Sequence, residues 1–117
     1  MTTIFIYHNS NKEYLGFACM GHAGYAKKSI FGKQPDILCS AISTLTINTI
    51  NSLEQLTDEK DNMKITINEA TGFLKCDFQQ AVTKPESKVL LDAMLLGLTE
   101  LSKEYGNKYL QVNFEEV

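Results

Sequence analysis

The sequence predicts an α+β fold in which two helices pack on one face of an antiparallel or mixed sheet, in the order β-β-α-β-β-α-β. Two patterns predict this fold class. Short segments alternate apolar and polar residues, as strands do, and two longer segments carry apolar residues at helical spacing. The 117 residues contain no internal repeat, linker or low-complexity segment, so we predict one domain over residues 1–117.

The first two strands are predicted over residues 3–7 and 14–21, joined by turn-forming residues into an antiparallel hairpin. Alternation places Cys19 among the apolar residues of the second strand, where we expect an inert core thiol. A polar connection follows over residues 24–35, and its length is typical of functional segments. It is expected either to close over a bound peptide or to form a surface loop.

The first helix is predicted to begin after Asp36, a residue type that caps helix starts, and to end at about residue 55. Its apolar stripe recurs every three or four residues. The stripe consists of Leu38, Ile42, Leu45, Thr49 and Leu53.

A second hairpin is predicted from alternating segments at residues 63–67 and 73–78. A second helix should follow and end at Tyr105, with Thr83 and Glu86 at the spacing of a capping box. Because its apolar surface covers more than one stripe, this helix is expected to be central or to contact another subunit. A last strand is predicted over residues 109–114.

The composition is that of an ordinary soluble protein, with 44% hydrophobic and 21% charged residues. A net charge of -3 disfavours direct nucleic-acid binding, which requires clustered Lys and Arg. Three cysteines without paired spacing favour a reducing compartment over a disulfide framework or a zinc site. We therefore expect a cytoplasmic protein without a membrane span, a metal or an organic cofactor.

The best clue to function is His22 at the end of a strand followed by Cys39 in the first turn of a helix. With Asp36 as the cap, Cys39 occupies position N3, where the helix dipole favours a thiolate. A cysteine pKa of about 8.5 can fall to about 3.5–7.5 in such a place. A neighbouring imidazole then completes a nucleophile and base pair.

Three further residues are expected to support this pair. Gly21 permits the backbone to bend beside His22, and Ser43 lies one turn after Cys39 on the same helix face. Asp36 either caps the helix or, as a hypothesis, orients the His22 ring. The oxyanion donors stay open between the N–H groups of Cys39, of Ser40 and of the loop.

These residues resemble a known family. Gly21-His22-Ala23 followed by Asp36-Ile37-x-Cys39-x-Ala41-x-Ser43 is similar to the pattern of the bacterial ribosomal-processing cysteine proteases called Prp. The resemblance spans nearly the whole chain. One departure is the loop over residues 24–35, which is longer than the family usually has.

The resemblance implies that His22 and Cys39 form the catalytic pair of a cytosolic, dimeric endopeptidase. It also implies a substrate, the N-terminal extension of bacterial large-subunit ribosomal protein number twenty-seven, whose removal contributes to ribosome assembly. Two alternatives stay open. One is a non-enzymatic ribosome-associated module that binds a peptide, and the other is a redox sensor that uses Cys39 alone.

Overall fold

The computed structural model describes residues 1–23, 28–29, 32–33 and 36–117. The predicted element order is confirmed, with the addition of a short ladder inside the segment predicted as a loop. The larger part of that segment, including its expected role over a peptide, lies outside the described residues. The elements are β1 (Thr2–His8), β2 (Tyr14–Met20), β3 (Lys28–Ser29), β4 (Gly32–Lys33), α1 (Ile37–Leu56), β5 (Met63–Asn68), β6 (Phe73–Val82), α2 (Pro85–Tyr105) and β7 (Leu110–Glu116).

The main sheet has five strands in the order β5-β6-β2-β1-β7. The pairs β1 with β2, β2 with β6 and β5 with β6 are antiparallel, whereas β1 and β7 run parallel. Of the two predicted sheet types, the mixed one is therefore present. The strand β2 lies at the centre of the order, so the residues that follow it leave from the middle of the sheet.

Both helices cover the same face of this sheet, as predicted. On that face the strand registers align Ile4 with Cys19 and Leu74, and Ile6 with Phe17 and Cys76. Alternate strand residues thus meet the apolar stripes of α1 and α2. The buried helix residues of this core are Leu38, Ile42, Ile50, Leu53, Leu91, Met94 and Leu98.

The start of α2 differs from the predicted capping box. Lys84 is the N-cap and makes no side-chain capping bond, so the pairing of Thr83 with Glu86 is wrong. The physical reason is Pro85, whose fixed φ suits the first helical position and leaves Thr83 outside the helix. Glu86 still lies in the first turn, where the positive end of the helix dipole stabilises its negative charge.

The wide apolar surface predicted for α2 is divided between the core and solvent. Leu91, Met94 and Leu98 are buried, whereas Val89 is 63% exposed and Leu96 is 64% exposed. Within the described ranges, neither helix has the length and apolar composition needed to cross a membrane.

Candidate active site

Cys39 lies in the first turn of α1, and its side chain is half-buried. The helix begins here because the Asp36 Oδ1 accepts a hydrogen bond from the Cys39 backbone N–H at 3.0 Å. The Asp36 carbonyl oxygen accepts the first helical bond, from the Ser40 N–H at 3.0 Å. The Cys39 sulfur is thereby held near the positive end of the helix dipole.

The residues after β2 reach the same sulfur. The Ala23 backbone N–H donates to Cys39 Sγ with an N to S distance of 3.3 Å, and Ala23 is 1% exposed. The contact places a backbone N–H donor directly against the Cys39 sulfur. Because His22 directly precedes Ala23, this contact holds the histidine backbone close to the start of α1. The His22 side chain is exposed.

Gly21 turns the chain out of the sheet. Its φ is +85°, in the left-handed region that favours glycine. A Cβ at this position would lie 2.6 Å from the Met1 carbonyl oxygen, so the close approach also excludes a side chain. The Thr2 hydroxyl donates to the Gly21 carbonyl oxygen at 3.5 Å.

A third segment, between β5 and β6, packs against His22. Asn68 caps this turn by accepting a bond from the Ala70 N–H at 3.1 Å, and Gly72 closes it with a φ of +66°. A Cβ on Gly72 would lie 2.7 Å from the Gly21 carbonyl oxygen and 3.0 Å from His22 Cε1. Gly72 therefore lets the turn lie directly on the histidine and the glycine before it.

One pocket of about 280 Å³ contains most of the residues that the sequence analysis singled out. Gly21, His22, Cys39 and Ser43 all line it, and Asp36 is joined to them through its bond to Cys39. The other lining residues were not assigned to the site from the sequence, and they include Cys19, Ile47, Ile67 and Gly72.

Cys19 differs from the core thiol that the sequence predicts, because it is half-buried and lines this pocket. Burial, followed by the charge of Cys39, raises the pKa of the Cys19 thiol to about 11. Cys76 is fully buried, and burial together with the charge of Asp77 raises the pKa of its thiol to about 12. Neither residue therefore supplies a thiolate near neutral pH.

In the part of the chain that the structure describes, no three His, Cys, Asp or Glu side chains are placed to hold a metal ion. His8, to which the sequence assigned no role, lies at a hydrogen-bond distance of 2.9 Å from Nδ1 to the Asn9 carbonyl oxygen. The pocket is lined by the Cys39 thiol at a helix start and by the His22 imidazole, and these are the groups that nucleophilic cysteine chemistry requires.

Solved structures share the fold. The ribosomal processing protease Prp of Staphylococcus aureus, in complex with a covalently linked product peptide, is 24% identical with a TM-score of 0.80, covering 98% of this chain and 100% of that chain. The same protease with a substrate peptide is 22% identical with a TM-score of 0.78 and the same coverage. A Streptococcus mutans protein is 24% identical with a TM-score of 0.77, covering 100% of this chain and 96% of that chain.

The comparison with curated proteins finds no match. The family model described as cysteine protease Prp matches residues 1–110, which is nearly the whole chain and includes every residue of the pocket. The pocket described above thus lies in a sequence with the pattern of that family throughout. The chain belongs to the cysteine protease Prp family and is a cysteine protease.

Proposed function

We propose that residues 1–117 form one endopeptidase domain that removes the N-terminal extension of bacterial large-subunit ribosomal protein number twenty-seven. The observation that supports the proposal is the pocket at the start of α1, which both His22 and Cys39 line. Support for the substrate comes from the family and from the Staphylococcus aureus relative, a ribosomal processing protease solved with substrate and product peptides. This cleavage contributes to ribosome assembly in the cytoplasm.

In the proposed reaction the Cys39 thiolate attacks the carbonyl carbon of the scissile peptide bond, and a carbon–sulfur bond forms. The protonated His22 ring gives its proton to the leaving amine as the carbon–nitrogen bond breaks. A water molecule gives a proton to His22 and attacks the thioester carbon, and the carbon–sulfur bond breaks to return the Cys39 thiolate and the protonated His22 ring. The Ala23 N–H and the start of α1 stabilise the attacking sulfur before each cycle.

The oxyanion donors are proposed to come from the loop side of the pocket. The N–H groups of Cys39 and Ser40 already donate to Asp36, the first to its side chain and the second to its carbonyl oxygen. The Ala23 N–H faces the reacting sulfur at 3.3 Å, so we assign it to the oxyanion that forms as the sulfur bonds to carbon.

The supporting residues have separate roles in this proposal. Asp36 fixes the start of α1 and so the position of Cys39, while its orientation of the His22 ring stays a hypothesis. Gly21 provides the bend before His22. Ser43 lines the pocket one turn beyond Cys39, where its exposed hydroxyl is available to the substrate backbone.

Replacing either member of the pair is expected to stop cleavage without unfolding the protein. Cys39→Ala should abolish cleavage of the extended ribosomal protein, and His22→Ala should lower kcat about 100-fold or more. His8→Ala is the matched control and should retain full activity, because His8 lies outside the pocket. Mass spectrometry of the substrate gives the readout. Tight binding by wild type with the substrate left intact would instead support a peptide-binding module.

Alkylation is expected to distinguish the three cysteines. At pH 8 a thiol with a pKa of about 11 is ionised in about one molecule in a thousand, so Cys19 should react slowly with iodoacetamide, and Cys76 more slowly still. Cys39 should be labelled first, and raising the pH above 10 should accelerate labelling of Cys19. Peptide mapping measures each rate, with urea-unfolded protein as the control in which all three react. Equal rates for Cys19 and Cys39 in the folded protein would contradict this assignment.

The contact of Gly72 with His22 predicts that Gly72→Ala lowers kcat about tenfold, since the new methyl group must displace the Gly21 carbonyl or the His22 ring. Gly106→Ala is the matched control. Gly106 also has a positive φ, of +97°, but nothing lies within 4 Å of a Cβ there. Both variants place Ala at a positive φ, and thermal unfolding of each variant sets an assay temperature at which both are folded, so that the kinetic effect is measured apart from the loss of stability. Equal activities of the two variants would refute the positioning role.

We further propose that two copies pair through the exposed apolar face of α2 formed by Val89 and Leu96. Wild type should then sediment at twice the chain mass of 13.1 kDa, and Leu96→Glu should shift it towards the monomer. Leu56 is 74% exposed at the end of α1, so Leu56→Glu serves as a control that should leave the dimer intact. A monomeric wild type would exclude this pairing.

A further inference from the structure

The pocket extends beyond Cys39 along α1. Cys39, Ser43 and Ile47 are spaced four residues apart, so they follow one face of the helix, and all three line the pocket. Ile47 is 46% exposed. The reacting sulfur and this isoleucine are eight residues apart, which corresponds to about 12 Å along a helix.

The part of the pocket lining that β5 contributes is also apolar. Ile67 near the end of β5 lines the pocket and is 59% exposed. Two residues of the core also line this pocket, Ile42 at 2% exposed and Leu74 at 8% exposed. Two exposed isoleucines, one on α1 and one on β5, thus line the same pocket and give it an exposed apolar surface.

The sheet topology leaves this wall accessible. β5 is an edge strand that pairs only with β6 in the main sheet. The polar lining residues near Ile67 are Asn68, engaged in capping its own turn, and the exposed Glu69. The surface therefore offers an apolar contact with an acidic side chain at its rim.

We propose that Ile47 and Ile67 form a specificity subsite for an apolar side chain located three or four residues from the scissile bond. An extended peptide advances about 3.3 Å per residue, so about 12 Å corresponds to that separation. The occupant is a large aliphatic or aromatic side chain, because only apolar surface gains free energy on burial between two isoleucines. This inference rests on the proposed peptidase function of the same pocket.

The subsite also selects against acidic side chains. A carboxylate between Ile47 and Ile67 would lose water without gaining a hydrogen bond. It would also share the pocket with the Glu69 carboxylate, which has the same charge. An Asp at this substrate position is therefore expected to be a worse replacement than Ala.

A residue scan of the substrate tests the subsite. The probe is a synthetic peptide spanning the cleavage site of the extended ribosomal protein, with each residue in turn replaced by Ala. For wild type, Ala in place of one apolar residue three or four residues from the scissile bond should lower kcat/KM about tenfold. Asp at that position should lower it further.

The enzyme variants identify the residues that read this position. Ile47→Ala and Ile67→Ala should each lower kcat/KM for the parent peptide about tenfold. In either variant, replacing the sensitive peptide residue with Ala should no longer lower kcat/KM further. Ile65→Ala is the matched control, because Ile65 lies on the same face of β5 and is 37% exposed but does not line the pocket. Two results would overturn the subsite. One is that the losses of kcat/KM from the enzyme and the peptide substitutions add when the two are combined, and the other is that Ile65→Ala lowers kcat/KM as much as Ile47→Ala or Ile67→Ala.

Binding separates the subsite from the reaction. The same peptides, carrying a fluorophore, are titrated onto Cys39→Ala protein with and without the isoleucine substitutions, and anisotropy gives each Kd. Binding that depends on both isoleucines while wild type never cleaves would retain the subsite and overturn the peptidase proposal. Cleavage by wild type that is insensitive to both substitutions in folded protein would retain the peptidase and overturn the subsite.

Discussion

The hydrogen bond from the Ala23 N–H to the Cys39 sulfur is the contact on which the site depends. It joins two segments that are 16 residues apart in the chain, one leaving the centre of the sheet and one starting a helix. Each segment is fixed by its own backbone chemistry, Gly21 by its positive φ and Cys39 by the cap from Asp36. The bond makes the placement of the histidine backbone and the sulfur mutually dependent.

The fold brings a third segment to this junction because β6 pairs with β2 and therefore carries the turn before it to the end of β2. Gly72 in that turn contacts both Gly21 and the His22 ring. The pocket is thus bounded by α1 and by the ends of β1, β2, β5 and β6, and all of these elements except β5 contribute buried apolar residues to the core. A rigid scaffold of this kind preorganises a nucleophile and a base.

Local chemistry explains which features the sequence could predict. The cap at Asp36, the position of Cys39 in the first turn and the shared face of Leu74 and Cys76 follow from spacing and residue type alone. The capping box at Thr83 failed because two local signals competed and Pro85 set the first helical residue. Gly72 and Ile67 could not be assigned to the site, since their positions depend on strand pairing. Ile47 carried a usable signal, its helical spacing from Cys39.

The parallel pairing of β1 with β7 has a consequence for biosynthesis. The bend at Gly21 lies against the Met1 carbonyl group, at the start of β1. In the parallel pair, Thr2 of β1 lies opposite Leu110 of β7. The bend is therefore supported by β1, and β7, the neighbour of β1, is the last strand of the sheet to be translated. A nascent chain emerging from the exit tunnel cannot close that ladder before β7 is made. The β7 edge of the sheet therefore forms only after β7 has been translated. In each newly made molecule, the strand pairing that supports Gly21 is completed at that late stage.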